Sequence, residues 1–160
     1  MKKFDTNGSK LCSYQSDIFS ASLKYQDCSS MIFLRRFFNS KFVQNLDNHD
    51  QNAFPYSIEE CFNALDIEYG KIEYGSKKYN ENILHWLGYI TRYICYTREI
   101  TSKYLYKNIP LKIFIENYYV YHTQSEEWVI TRVLEDANLP KKFFDKKIKT
   151  RSILKKLWLI

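Results

Sequence analysis

The chain has 160 residues, 45% hydrophobic and 18% aromatic, with four glycines, three prolines and a formal net charge of +6. At this length one domain can bury roughly 70% of the surface its unfolded form exposes, so folding needs neither metal nor disulfide. The composition excludes a disordered or loop-dominated chain, and no run of about 18 uncharged apolar residues offers a membrane span.

Leu11, Tyr14, Ile18, Ala21 or Ser22, and Tyr25 recur at steps of three or four and predict a first amphipathic helix over 11–26. Asp27 to Ser30 supply N-cap candidates for a second helix over 31–46. Its stripe is Met31, Leu34, Phe38, Phe42 and Leu46, widened by Phe33 and Phe37. A helix apolar over more than half its circumference is either nearly surrounded or offers one face to a partner. Residues 47–56 are mostly polar and read as a loop.

Ser57 and Glu60 stand in capping-box spacing and open a third helix that buries Ile58, Phe62 and Leu65, with Tyr69 as a further candidate, and stops at Gly70. The echo Glu68-Tyr69-Gly70 and Glu73-Tyr74-Gly75 reads as two successive turns within 68–79, with a short β pair as the alternative. Asn80 or Ser76 caps a long fourth helix, 80–107, whose face is Trp86, Tyr89, Ile90, Tyr93, Thr97, Ile100 and Tyr104. Gly88 inside it costs roughly 1 kcal/mol against alanine, which close approach of another helix would explain. Residues 111–123 follow as a helix through Leu111, Phe114, Ile115 and Tyr118, although their β-branched and aromatic content leaves a strand open. A last clear helix starts at Gln124 or Ser125, with Trp128, Ile130 or Thr131, Leu134 and Ala137 inward. The expectation is an all-α single domain of six or seven helices around 80–107, its body spanning 1–140 and a basic helical segment, 141–160, packed on or extending from it.

Charge is unevenly placed. Residues 141–160 hold Lys141, Lys142, Lys146, Lys147, Lys149, Arg151, Lys155 and Lys156 against Asp145, a net of +7, while the rest of the chain is near −1. Such asymmetry fits a nucleic-acid arm, a docking element for an acidic partner, or a solvated helix face. Residues 1–12 carry three lysines without the apolar stretch of a secretory leader, so a cytoplasmic protein with reduced cysteines is expected. Cys12, Cys28, Cys61 and Cys95 lack CxxC or Cys/His zinc spacing and read as buried thiols, with no metal or other cofactor expected. His49, His85 and His122 sit in unrelated contexts, and no nucleophile elbow, phosphate loop or metalloprotease motif occurs. Catalysis is therefore not expected.

Cys28-Ser29-Ser30, Ile32-Phe33, Arg35-Arg36-Phe37, Ser40, Tyr74-Gly75, Lys78-Tyr79, Trp86-Leu87-Gly88-Tyr89, Arg92-Tyr93, Tyr96, Glu99, Leu105-Tyr106-Lys107 and Tyr121-His122-Thr123 carry a resemblance. Over about residues 12–135 the chain resembles small helical antitoxin-like proteins of low-GC bacteria, encoded beside putative toxin genes, some of ADP-ribosyltransferase type. The basic end after Leu139 departs from that pattern. The resemblance implies a non-enzymatic protein that neutralises a toxin by covering its active site. Interfaces favour aromatic residues and arginine, so Arg35, Arg36, Phe37, Arg92, Tyr96 and Arg98 are the expected partner-binding residues. An alternative is nucleic-acid binding through the eight basic residues after Pro140, and a further one is a phage-encoded inhibitor of a bacterial defence system. A homodimer is open to the chain, whereas neither a membrane nor a small-molecule substrate is expected.

Overall fold

The computed structural model describes residues 1–48 and 56–145, which form one all-helical domain. Nine helices are bounded among them: α1 Thr6–Tyr25, α2 Ser30–Asn39, α3 Lys41–Asp47, α4 Ile58–Tyr69, α5 Glu81–Arg98, α6 Ser102–Asn108, α7 Leu111–Glu116, α8 Tyr118–Tyr121 and α9 Glu126–Asp136. The expected long central helix is present, but three expected helices are each divided in two.

Each division has a local cause. At Ser40 the backbone is extended, and the hydroxyl donates back to Phe37 O (2.7 Å) while accepting from Val43 N (3.1 Å). One buried serine thus ends α2 and starts α3. The central helix stops at Arg98 instead of near residue 107, because Glu99 adopts a left-handed conformation, with φ 52° and ψ 44°. Ile100 N then reaches back to Cys95 O, and the Thr101 hydroxyl accepts from Tyr104 N to start α6. Asn117 similarly separates α7 from α8, and the strand alternative for 111–123 is displaced by helix.

Helices α1 and α5 form the central pair. Their backbones meet at Gly88, where a Cβ would lie 2.7 Å from Gln15 O and 2.9 Å from the Ser16 Cα. The close approach inferred from the glycine is therefore real, and its partner is α1. Because α5 lies inside the bundle, residues on all its sides are buried, among them Leu84, Leu87, Ile90, Arg92, Ile94, Cys95 and Tyr96. Phe19 of α1 packs against Phe33, Phe37 and Phe38 of α2, with ring centroids 5.0–5.9 Å apart and edges toward faces. Met31 departs from the expected α2 stripe and stays exposed.

The capping box at Ser57 and Glu60 forms as expected, and Gly70 ends α4 at φ 77°. Residues 70–80, where two turns were expected, run as an irregular strap over the α1–α2 junction. Its carbonyls at Tyr74 and Lys77 accept from Ser29 N and Ser30 N, and Ser30 Oγ accepts from Tyr79 N. Lys78 Nζ donates to Gln26 O (2.5 Å) and Leu23 O, placing a cation where the carbonyls of α1 point. Helix α9 buries Val129, Ile130, Val133 and Leu134, so of the alternatives Ile130 and Thr131 the isoleucine is inward, whereas Trp128, expected inward, is exposed. Beyond α9, Phe144 is buried and Phe143 stacks on Tyr104, so the start of the basic segment packs on the body.

Candidate interaction surface

Three of the six expected partner-binding residues are interior. Phe37 lies among Phe19, Phe33, Phe38 and Phe42 and has no exposed surface. Tyr96 is equally enclosed: Gly8 passes over its ring, and its hydroxyl donates to Asp5 Oδ1 (2.6 Å). Asp5 is the N-cap of α1 and also accepts from Gly8 N (2.9 Å), so Tyr96 fixes the start of that helix.

Arg92 is 0% exposed. Its Nε donates to Gln15 Oε1 (2.8 Å), Nη1 to Asp47 Oδ1 (2.8 Å) and Nη2 to Ser102 Oγ (2.7 Å). Asp47 accepts in addition from Ser102 N and Ser102 Oγ, while Gln15 Nε2 donates to Gly88 O and Thr91 Oγ1. Burial works most strongly against the guanidinium charge, but Asp47, together with Cys95 and Cys12, offsets it and holds the Arg92 pKa above its usual value. The group joins α1, α3, α5 and α6 and is closed to solvent. Arginine on a tyrosine-rich helix signalled a binding face in the sequence, and the fold uses it as a polar core.

The other three stay closer to solvent but do not form one face. Arg35 is exposed. Arg36 donates to Gly70 O (2.7 Å) and lies 5.3 Å from the Tyr69 ring, which ties α2 to the end of α4. Arg98 pairs with Glu127 through both guanidinium nitrogens (3.0 and 2.5 Å), and Tyr93 donates to the same carboxylate (2.8 Å). Those bonds, with Arg98 foremost, hold the Glu127 pKa below the ordinary glutamate value despite partial burial. Lys141 and Lys142 are exposed, whereas Lys146, Lys147, Lys149, Arg151, Lys155 and Lys156 lie outside the described residues.

What individual residue types did not reveal is a set of exposed aromatic and apolar side chains on α8 and α9. Tyr119 is 78% exposed, Val120 57% and Trp128 40%. Trp86 meets Tyr118 edge-on (5.6 Å), Tyr118 stacks on His122 (4.4 Å), and Tyr121 meets Trp128 edge-on (5.8 Å). Beneath them an open cleft of about 470 Å³ is lined by Asn117, Val120, Tyr121, Trp128, Arg132 and Asp136. Asp136 accepts from the Tyr121 hydroxyl and lies 3.6 Å from Arg132, which also reaches Glu135 (3.2 Å). Tyr118 and Tyr121 are therefore held within the chain, the one by Trp86 and the other by Asp136. Four of the five residues 118–122 are aromatic or histidine, too many for a helix of one turn to bury. That crowding is the signal available in the sequence.

Elsewhere, the cleft between α1, α4 and α5 brings Asp17, Ser20, Glu81 and His85 together, with His85 Nε2 3.6 Å from Asp17 Oδ1. Ser20 Oγ donates to Ser16 O (3.0 Å), so its hydroxyl is used within α1. Among the described residues no group of three or more His, Cys, Asp or Glu side chains is arranged to hold a metal ion, and no helix is long and apolar enough to cross a membrane. All four cysteines are free and buried, as expected, with the Cys12 and Cys95 thiols pushed up to about 12 by burial. No family model, curated protein or solved structure matches the chain.

Proposed function

We propose that the protein is a non-enzymatic, antitoxin-like inhibitor that neutralises a partner protein by direct contact. The observation that carries this reading is the exposure of Tyr119, Val120 and Trp128 on α8 and α9, with Val120 and Trp128 lining one cleft beside Arg132. Large apolar side chains grouped on a surface beside an arginine are the usual material of an interface centre. Aromatic rings also lose little rotamer freedom on binding, and Tyr118 and Tyr121 already meet Tyr119 and Trp128 edge-on. The partner would bury the rings against its own apolar surface, with Arg132, Glu135 and Asp136 at the polar rim. Occlusion of a toxin's active site, as the sequence resemblance implies, needs no chemistry from this chain.

The test is to express the tagged protein in a bacterial host and compare what it retains at about 150 mM and about 500 mM salt, with and without nuclease. The expected result is a stoichiometric protein that survives high salt and is lost with the double variant Tyr119→Ser, Trp128→Ser. Nucleic acid alone, released by salt or nuclease, would replace this reading with binding through the basic residues after Pro140. The same retained protein with the double variant would move the contact away from α8 and α9.

A further inference from the structure

A second apolar feature lies apart from the aromatic surface, where α2, the strap and the α6–α7 corner meet. It is a groove of about 590 Å³. Leu34 and Leu111 form its floor, Tyr106, Pro110 and Ile115 one side, and Met31, 64% exposed, the other. Its rim carries Lys77, Lys112 and Glu116. Lys112 Nζ lies 3.4 Å from Glu116 Oε1, so the acidic charge at the rim is met from within the same helix. Lys77 Nζ stands 5.9 Å over the Tyr79 ring and is paired with no carboxylate among the described residues. The groove is thus an apolar trough with one uncompensated cation at its edge.

Volume narrows what can lie in it. A helix about 10 Å across takes up about 120 Å³ per residue, so this space holds roughly five helical residues, short of the two to three turns that helix-in-groove recognition uses. A chain methylene occupies about as much room as a water molecule in the liquid, roughly 30 Å³, so ten to twelve fill about 300–360 Å³. That leaves space for a head group, within the usual range of small-molecule sites. Methionine suits such a wall because its unbranched side chain adapts to a flexible occupant.

We infer that this groove binds a medium-chain aliphatic carboxylate, its chain along Leu34, Leu111 and Ile115 and its head group at Lys77. The inference stands independently of the partner-contact reading, since none of the groove residues belongs to α8 or α9.

The experiment titrates the full-length protein with dodecanoate, dodecanol and dodecylammonium, each below its micellar concentration, by calorimetry. Dodecanoate is expected to bind one to one, with a dissociation constant below about 100 µM, and the alcohol at least about tenfold more weakly. Lys77→Glu, an exposed change that leaves the core untouched, is expected to weaken dodecanoate about tenfold or more. Ile115→Trp, checked for folding by its melting curve, is expected to fill the trough and abolish uptake. Equal binding of the alcohol, or of dodecylammonium, would overturn the role of Lys77. Dodecanoate binding that neither variant changes would place it elsewhere, and binding only at micellar concentrations would make it adventitious. No uptake, with either a dimer in sedimentation or capture of an acidic amphipathic peptide, would give the groove to a second copy or to a partner helix and overturn the inference.

Discussion

Arg92 of α5 and Asp47 at the end of α3 form an ion pair at 2.8 Å, with the guanidinium wholly enclosed and α1, α3 and α6 each contributing a polar atom. Removing one partner strands the other charge in a medium that cannot solvate it, which costs about 3–5 kcal/mol. Asp47→Ala is therefore expected to lower stability by that amount in urea unfolding. The double variant Arg92→Met, Asp47→Leu should recover most of the loss, since a well-packed apolar pair often matches a buried ion pair. Equal destabilisation of the double and single variants would show that the bonds to Gln15 and Ser102, not the charge pair, hold these helices.

Gly88→Ala tests the central helix contact. Helix propensity alone favours alanine by roughly 1 kcal/mol. The new methyl, however, would lie 2.7 Å from the Gln15 carbonyl oxygen, a backbone atom that cannot step aside. Overpacking should win, giving a net loss of about 1–3 kcal/mol in melting or denaturant experiments. An unchanged melting temperature would mean that α1 and α5 do not meet at this point.

The Glu127 carboxylate links pH to stability. Its pKa is lowered in the folded state by Arg98 first and Tyr93 next, from an ordinary value of 4.5. A depressed folded pKa gives a contribution that is fully present above the unfolded value and is lost as pH falls through the folded one. Wild type should therefore melt above Glu127→Gln at pH 7, and the gap should close as pH drops below about 4.5. The carboxylate is half exposed, so the gap should be modest and should shrink with salt. A gap that grows on acidification would reverse the sign and refute the assignment.

Burial of Cys12, Cys28, Cys61 and Cys95 makes thiol chemistry a reporter of folding. Thiolate is the reactive form, and burial pushes all four thiols up, Cys12 and Cys95 to about 12. At pH 7 the native protein should react far more slowly with an aromatic disulfide reagent than the denatured chain, in which all four should titrate. A thiol that reacts at once in the native state would indicate local opening around it.

Tyr119→Ser should leave stability within about ±0.5 kcal/mol, because its side chain is 78% exposed, whereas Trp128→Ser, which removes a ring only 40% exposed and set against Tyr121, should cost about 1 kcal/mol. That neutrality makes Tyr119→Ser the cleaner test of partner contact, with a melting curve as the control for Trp128→Ser. A large loss of stability from Tyr119→Ser would mean that the surface serves the fold before it serves a partner.

Sequence periodicity captured the helical architecture, the Ser57 capping box, the Gly70 stop and the close approach at Gly88, because each depends on local spacing or on one residue's size. It missed the breaks at Ser40 and Glu99. Serine fits equally well on a helix face, and a left-handed glutamate carries no local signature. It misplaced Phe37, Arg92 and Tyr96 for a different reason. An arginine whose partners are 10 to 77 residues away cannot be told from a surface arginine without knowing that Gln15, Asp47 and Ser102 converge on it. Trp128 failed in the opposite direction: tryptophan at a helical step reads as core, but the buried face of α9 runs through Val129, Ile130, Val133 and Leu134 and leaves Trp128 beside it.

The strap over the α1–α2 junction also sets how that junction exchanges its protons with solvent. The amides of Ser29 and Ser30 donate to Tyr74 and Lys77, about fifty residues along the chain, and not to any carbonyl of their own helix. Their hydrogen exchange would therefore report the opening of residues 70–80, while Phe33 N, bonded to Ser29 O, would report the unwinding of α2. Two neighbouring stretches of one helix thus carry separate clocks, and faster exchange at Ser29 and Ser30 alone would mark release of the strap with the bundle still intact.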